Sequence, residues 1–260
     1  GDEWDTVMNY DAFMEPLTWF LTGMEKHSDE YREDLLGNGE AFIGAMKTHM
    51  RSLHMSALQS AMNELSNHDH SRFLTRTNHK VGRISYAGAE AASEGVNPAV
   101  MREAVAIQMT WPGAPTVYYG DEAGLCGFTD PDNRRTYPWG REDYQMIDFH
   151  RVMIRIHKNY EVLKTGSLGF LWNDYQGLCY ARFSRKEQMI VIINNQAESR
   201  DVEIQLWQAG ISRLADTKLK RIVVTSAEGF TEEPEEYTAT AGILKITMPA
   251  FGAMVLHRKN

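Results

Sequence analysis

The densest group of chemically capable side chains is Asn67-His68-Asp69-His70-Ser71-Arg72. A carboxylate beside an imidazole and near a guanidinium can bind a polyol or stabilise a developing positive charge. The group follows the weakly apolar residues 62–65. If these form a parallel strand, positions 67–69 lie at its carboxyl end, where α/β folds place their chemistry. The alternative interpretation is a surface turn rich in cap-forming residues.

Two further polar groups follow. Gly120-Asp121-Glu122-Ala123-Gly124 comes after a short apolar run at residues 114–120, so its acids could be catalytic or metal-binding, or could simply begin a helix. Asp130-Pro131-Asp132-Asn133-Arg134-Arg135 puts acids and guanidinium groups on one loop. Arginine is suited to clamping oxygen atoms, although a solvated charged loop explains the same composition.

The histidines and cysteines give little support for a metal centre. His68 and His70 are two residues apart, and the chain contains no His-Glu-x-x-His pattern. The two cysteines, Cys126 and Cys179, are too few for a disulfide framework or a multi-cysteine zinc site. We therefore predict neither a metal nor a cofactor, and we interpret the 14 methionines as core residues.

The predicted secondary structure around these groups changes near residue 164, from alternating helices and strands to strands alone. Before it, helices alternate with short strand-like runs at 5–10 and 114–120, which indicates βα units and a parallel sheet. Asn97-Pro98 predicts a helix start, and apolar spacing predicts helices at about 41–61 and 144–157. After it, turn-separated apolar runs predict an antiparallel sandwich with strands at 178–183, 189–193, 202–206, 221–225, 244–248 and 254–256. We expect one domain over 1–164 and a second over 165–260.

Composition excludes several classes of protein. Of the 260 residues, 43% are hydrophobic and 24% are charged, as in ordinary globular chains. The formal net charge of −8 disfavours a nucleic-acid partner. No apolar run approaches the roughly 20 residues of a membrane-spanning helix, so we expect a soluble protein without a membrane partner. The chain begins at Gly1 without a leader pattern, and the expected location is the cytoplasm.

Three motifs in this order resemble the α-amylase family of glycoside hydrolases, and within it the neopullulanase and cyclomaltodextrinase group. They are Asn67-His68-Asp69, the tract at 111–124 and the tract at 130–135; residues 1–10 are similar to that group's sixth strand. The resemblance implies an α/β fold followed by an all-β one. The α/β part would be about strands 6 to 8 of a (β/α)8 barrel, and the all-β part a C-terminal antiparallel β-sandwich.

The resemblance also implies roles in a retaining reaction on α-1,4 or α-1,6 glucosidic bonds of α-glucan oligosaccharides. Asp69 matches the carboxylate that stabilises the transition state, and His68 matches its hydroxyl-binding neighbour. Asp130 and Arg134 match residues that contact a sugar further along the cleft. We expect Asn67 and Arg72 to support the loop that carries Asp69.

In this family, the nucleophile and the general acid lie before the sixth strand. Residues 1–10 of this chain resemble that sixth strand, so neither group matches a position in the chain. One alternative makes Glu3, in Gly1-Asp2-Glu3-Trp4, the general acid. A barrel needs about 250 residues and eight strands. We therefore expect either a C-terminal portion of a longer enzyme, inactive alone, or a chain whose sheet edges are covered in a homodimer. A non-catalytic carbohydrate-binding or assembly module is the main alternative function, and a metal phosphohydrolase is a weaker one.

Overall fold

The computed structural model describes residues 5–259. Helices dominate the first part of the chain, where a π-helical turn at Tyr10–Met14 leads into α1. No helix in the described range is both long and apolar enough to cross a membrane. The α-helices are α1 Glu15–Thr22, α2 Gly39–Met50, α3 Met55–Ser60, α4 Phe73–Arg76, α5 Ile84–Ala87, α6 Pro98–Thr110, α7 Tyr144–Asn159 and α8 Glu161–Thr165.

Strands dominate the second part. They are preceded by two short ones, β1 Met62–Glu64 and β2 Ala114–Thr116. The remaining strands are β3 Ser167–Asp174, β4 Gly177–Phe183, β5 Glu187–Asn194, β6 Arg200–Gln205, β7 Thr217–Thr225, β8 Phe230–Thr231, β9 Glu236–Ala239, β10 Ile243–Met248 and β11 Gly252–Lys259. They form a large antiparallel sheet in the order β3-β4-β5-β11-β7-β8, with β9 also paired to β7, and a two-stranded antiparallel sheet of β6 and β10. The six strands predicted after residue 164 are all confirmed.

The sheet of the second part has apolar side chains on both faces. Successive strand residues point to opposite faces, so Leu178 and Tyr180 of β4 join one apolar cluster while Cys179 and Ala181 join another. The first cluster continues into the helices of the first part, including α6 and α7, and the second fills the space toward β6 and β10. The result is three layers, with helices, the large sheet and the small sheet stacked in that order.

The strands of the first part are fewer and shorter than predicted. β1 and β2 pair in parallel, with Met62 opposite Ala114 and Glu64 opposite Thr116. The strand predicted at 5–10 is reduced to one parallel bridge between Met8 and Met62, because the π-helical turn begins at Tyr10. The prediction of a buried strand at 114–120 is wrong in both its length and its burial. It ends at Thr116, and its residues are half-buried, since β1 is its only partner in the described sheet.

Local signals account for the helix boundaries. Asn97 caps α6 by accepting from the backbone N–H groups of Ala99 and Val100, and Pro98 occupies the first helical position, as predicted. The helix predicted at about 41–61 is divided into α2 and α3. The Ser52 hydroxyl donates to the carbonyl oxygen of His49 at 2.6 Å. The same carbonyl oxygen also accepts from the backbone N–H of Ser52 at 3.1 Å, and the chain is extended at His54 (ψ 149°), so the helix is interrupted between α2 and α3.

Candidate functional site

The carboxylate of Asp69 lies in the loop that follows the carboxyl end of β1. Its side chain is 53% exposed, and that of its neighbour His68 is 51% exposed. The two side chains approach each other, with 3.4 Å between His68 Nε2 and Asp69 Oδ1. Both groups are therefore accessible to a ligand at this edge of the parallel strand pair.

Asn67 shapes the loop beneath Asp69. Its buried side chain accepts hydrogen bonds through Oδ1 from the backbone N–H groups of Asp69 (2.9 Å) and His70 (3.0 Å). Its Nδ2 donates to Glu64 Oε2 at 3.1 Å and to the hydroxyl oxygen of Tyr10 at 3.0 Å. Asn67 therefore links the backbone that carries Asp69 to β1 and to the chain before α1.

Arg72 connects three loops from a fully buried position. Its Nε and Nη2 donate to the carbonyl oxygen of Asn133 at 2.9 and 2.8 Å, and its Nη1 donates to Asp121 Oδ1 at 3.0 Å. The guanidinium also lies 4.2 Å from the ring centre of Tyr118 and 4.8 Å from that of Tyr119. Its partners thus belong to the loops after β2, whereas Asp69 belongs to the loop after β1.

Asn133 completes this connection. Its Nδ2 donates to the carbonyl oxygens of Asn67 (3.0 Å) and His70 (2.7 Å). We call Asn67, Arg72, Asp121 and Asn133 the polar frame. Each of its members is at most 5% exposed. Because buried polar groups are costly unless they are paired, this hydrogen bonding fixes the loops relative to one another.

Asp130 and Arg134 lie on the loop adjacent to Asp69. Arg134 Nε donates to Asp130 Oδ1 at 2.6 Å, and the two side chains are 48% and 51% exposed. The Thr129 hydroxyl donates to the carbonyl oxygen of Asp69 at 2.6 Å. The structure therefore brings together four of the predicted site residues, His68, Asp69, Asp130 and Arg134, on two loops that touch.

Glu64, a carboxyl group on β1 beside this site, is not indicated by any of the sequence motifs. It is 5% exposed and accepts from Asn67 Nδ2. Burial raises the pKa of Glu64, and the negative charges of Asp121 and Asp69 act in the same direction. The only sequence signal is an acid inside a run that is otherwise weakly apolar.

His70 is part of the buried wall of the site rather than of its open face. Its Nδ1 lies 3.1 Å from Met14 Sδ, and its ring makes an edge contact with Tyr10 at 4.8 Å. Burial, together with nearby cations, of which Arg76 contributes most, lowers the pKa of His70 to about 3. The imidazole is therefore uncharged at neutral pH.

His27 reaches the site from the loop between α1 and α2, and nothing in the local sequence marks it. Its Nδ1 lies 2.8 Å from Thr129 Oγ1. The Thr129 hydroxyl already donates its single proton to Asp69, so His27 Nδ1 must be the donor. A neutral His27 therefore carries its accepting lone pair on Nε2.

Two candidate acids from the sequence remain, Asp121 and Glu3. Asp121 serves the polar frame, and Glu3 lies outside the described residues. Across residues 5–259 no three His, Cys, Asp or Glu side chains are grouped so that they could hold a metal ion.

Comparison with known proteins identifies the family. Residues 2–209 match the model of the α-amylase catalytic domain. The chain belongs to the α-amylase family. The match begins before β1 and includes both loops of the candidate site.

Curated relatives and solved structures extend the comparison. The chain is 30% identical over 261 residues to neopullulanase 2 of Thermoactinomyces vulgaris, covering 98% of this chain and 37% of that protein. It is 28% identical to a cyclomaltodextrinase of Thermoanaerobacter pseudethanolicus, covering 85% of this chain and 34% of the relative. The chain thus spans about a third of the length of these two relatives. Its fold matches a debranching enzyme of Nostoc punctiforme with a TM-score of 0.72 at 23% identity, over 99% of this chain and 47% of that one.

Proposed function

We propose that the protein containing this chain is a retaining α-glycosidase. Its substrates would be α-1,4- or α-1,6-linked glucans such as maltooligosaccharides, cyclomaltodextrins, pullulan or starch. The observation that carries the proposal is the accessible Asp69 carboxylate at the carboxyl end of β1, in a chain of the α-amylase family. Barrel enzymes place their chemistry at that end of their strands.

Asp69 would stabilise the positive charge that develops on the sugar ring in the transition state. A fixed carboxylate is effective in this role because it needs little reorganisation when the charge forms. His68, 3.4 Å from Asp69, would bind a hydroxyl group of the same sugar. Asp130 and Arg134, which are exposed on the adjacent loop, would contact a further sugar along the chain.

We further propose that residues 1–164 contribute about the sixth to eighth strands of a (β/α)8 barrel and that residues 165–260 form the C-terminal sandwich. The Met8 bridge, β1 and β2 would be those three strands. The nucleophile and the general acid would come from residues outside this chain, so the 260-residue chain alone would not turn over substrate. A homodimer that covers the open strand edges, and a cytoplasmic location, stay predictions.

The test is an assay of the longest natural product of the gene that encodes this sequence. Maltoheptaose, cyclomaltodextrin and pullulan are the substrates, and cellohexaose is the control. We expect reducing ends to be released from at least one α-glucan with retained anomeric configuration, and none to be released from cellohexaose. Absence of turnover on every α-glucan would contradict the proposal and would favour a carbohydrate-binding or assembly module.

The same assay on the 260-residue chain tests the location of the two covalent groups. We expect no turnover. If this chain hydrolyses cyclomaltodextrin and Asp69→Ala abolishes that activity, the assignment of both groups to residues outside the chain is wrong.

A further inference from the structure

The exposed carboxylate of Asp69 depends on its own backbone for its direction. Its side-chain contact is with His68, which is also half exposed. The backbone, in contrast, is held at both of its peptide groups. The N–H of Asp69 donates to Asn67 Oδ1 at 2.9 Å, and the carbonyl oxygen accepts from the Thr129 hydroxyl at 2.6 Å. A group that fixes the Thr129 hydroxyl therefore also helps to fix the Asp69 side chain.

His27 is in contact with that hydroxyl. Thr129 is buried, and its side chain has a single proton to donate. Because the Asp69 carbonyl oxygen can only accept, Thr129 gives its proton to Asp69. His27 Nδ1 lies 2.8 Å from Thr129 Oγ1, so a proton on Nδ1 completes the arrangement. An Nδ1 without a proton would compete with Asp69 and leave two acceptors facing each other.

The segment that carries His27 is bonded to the Asp69 loop on both sides of the histidine. Before it, the carbonyl oxygen of Lys26 accepts from the N–H of Ser71 at 3.0 Å and from the Ser71 hydroxyl at 2.9 Å. After it, the Ser28 hydroxyl donates to Ser71 Oγ at 2.9 Å. Ser28 and Ser71 are fully buried. Because buried polar groups keep their hydrogen bonds, these contacts hold the imidazole beside the Asp69 loop.

A second contact orients the imidazole ring. The ring centre of His27 lies 4.7 Å from that of His70, with 79° between the ring planes, so the edge of one ring meets the face of the other. His70 is itself anchored, because its N–H donates to Asn67 Oδ1 at 3.0 Å. This packing restricts rotation of the His27 ring and favours an Nδ1 that stays directed at Thr129.

We propose that His27 is a positioning residue for Asp69, acting through Thr129. With its proton on Nδ1, His27 directs the Thr129 hydroxyl to the Asp69 carbonyl oxygen, and the carboxylate keeps its direction toward a bound sugar. We call these three residues the relay. Its loss removes no reacting group, but a small displacement of a charge-stabilising group weakens catalysis. The catalytic consequence rests on the proposed function, whereas the relay is defined by its hydrogen bonds.

The proton position is measured by NMR of the ring nitrogens in the 260-residue chain, labelled at histidine. Above about pH 8 histidine rings are neutral, so each carries one proton. We expect the His27 proton on Nδ1, and we expect Thr129→Val to remove that preference. The signals of His27 are identified by their absence from the spectrum of His27→Asn.

Two substitutions of His27 separate the donor from the ring. His27→Phe keeps a ring without a donor, whereas His27→Asn keeps an N–H donor the same number of bonds from the backbone. Amide exchange at His70, whose N–H shares a peptide group with the Asp69 carbonyl, should accelerate about two- to tenfold in His27→Phe, as expected for loss of one hydrogen bond. It should stay near wild type in His27→Asn and in His49→Phe, a control on the exposed face of α2.

Kinetics of the longest natural gene product on maltoheptaose test the catalytic consequence. His27→Phe should lower kcat about tenfold or more while KM stays within about twofold, because the loss falls on the transition state. His27→Asn should recover most of the lost kcat. Combining His27→Phe with Thr129→Val should be no slower than Thr129→Val alone, since both break the same relay.

A His27 proton on Nε2, unchanged exchange at His70 in His27→Phe, or additive losses of kcat in the double variant would each overturn the proposal. Circular dichroism checks that His27→Phe is folded. Thr129→Val breaks the relay from its other end and should accelerate exchange at His70 in the same way. If the gene product turns over no α-glucan, the proposed function fails, while the NMR and exchange measurements still decide the relay.

Discussion

The large antiparallel sheet and the candidate site are stabilised by opposite kinds of residue. In β5, every residue from Gln188 to Asn194 is buried, and β4 and β11 pair with it on its two sides. Beside β1 and β2, the fully buried groups are largely polar, and the polar frame joins loops that are distant in sequence. Apolar area therefore stabilises the large sheet, whereas paired buried polar groups position the site.

Each region is vulnerable to a different kind of substitution. An apolar core loses stability in proportion to the area and volume removed. A buried polar network loses more when one member is removed, because the partners left behind stay buried and unpaired. The exposed residues His68, Asp69, Asp130 and Arg134 should contribute little to folding in either case.

The largest expected effect on stability is that of Arg72→Met. The substitution leaves the Asp121 carboxylate buried without its cation and removes both bonds to the Asn133 carbonyl. We expect the free energy of unfolding in urea to fall by about 3–5 kcal/mol. Arg151→Ala removes an exposed ion pair with Asp148 and should cost less than about 1 kcal/mol. Equal effects of the two substitutions would show that the polar frame is not what stabilises the loops.

A smaller effect is expected for Asn133→Ala. The Nδ2 group that bonds the carbonyl oxygens of Asn67 and His70 is lost, and both oxygens are left buried. The expected loss is about 1–3 kcal/mol, measured by the same urea titration. Amide exchange at Asp69 and His70 should also accelerate, because Asn133 no longer fixes their loop. Unchanged exchange there would contradict a positioning role for Asn133.

Glu103 on α6 is a buried acid that, unlike Asp121, has no hydrogen-bonded cation. Neither of its carboxyl oxygens has a hydrogen-bond partner in the described chain. Burial raises the pKa of Glu103 well above its ordinary 4.5, against the opposite effect of Arg102. The folded state therefore keeps a proton that the unfolded state releases above about pH 4.5. Stability should fall as pH rises above that value, by at most about 1.4 kcal/mol per pH unit.

Glu103→Gln removes this titration. The variant should match wild type near pH 4 and become progressively more stable than wild type as pH rises toward 7, in urea unfolding at a series of pH values. Glu40→Gln, at an exposed position on α2, is the control and should follow the wild-type curve. A pH-independent difference between Glu103→Gln and wild type would contradict the assignment.

Local signals predicted most of the regular structure. Asn97 and Pro98 marked the start of α6, and apolar runs marked β4 and β5. β3 was not predicted, because its sequence includes Gly169 and Asn173 and does not alternate between apolar and polar residues. In the structure, its residues are half-buried or exposed. The prediction of one helix at about 41–61 did not include the turn at residues 51–54, which separates α2 from α3.

The residues of the site were easier to predict than their support. Asp69 and Asp130 belong to short motifs, so a resemblance could indicate them. Arg72 meets its partners Asp121 and Asn133 49 and 61 positions away, and His27 meets Thr129 102 positions away. Such contacts depend on how the loops pack in three dimensions, and no spacing rule within one segment indicates them.

The proposed role of Asp69 is tested by comparing Asp69→Asn with wild type in the longest natural gene product, by kinetics on maltoheptaose and by urea unfolding. We predict that kcat/KM falls by about 10³ or more, because the charge-stabilising carboxylate is lost. The free energy of unfolding should stay within about 0.5 kcal/mol, because the side chain is exposed. Asp148→Asn, at another exposed aspartate, should leave both quantities unchanged. A kcat/KM within tenfold of wild type, or a loss of activity that only follows a loss of folded protein, would contradict this role of Asp69.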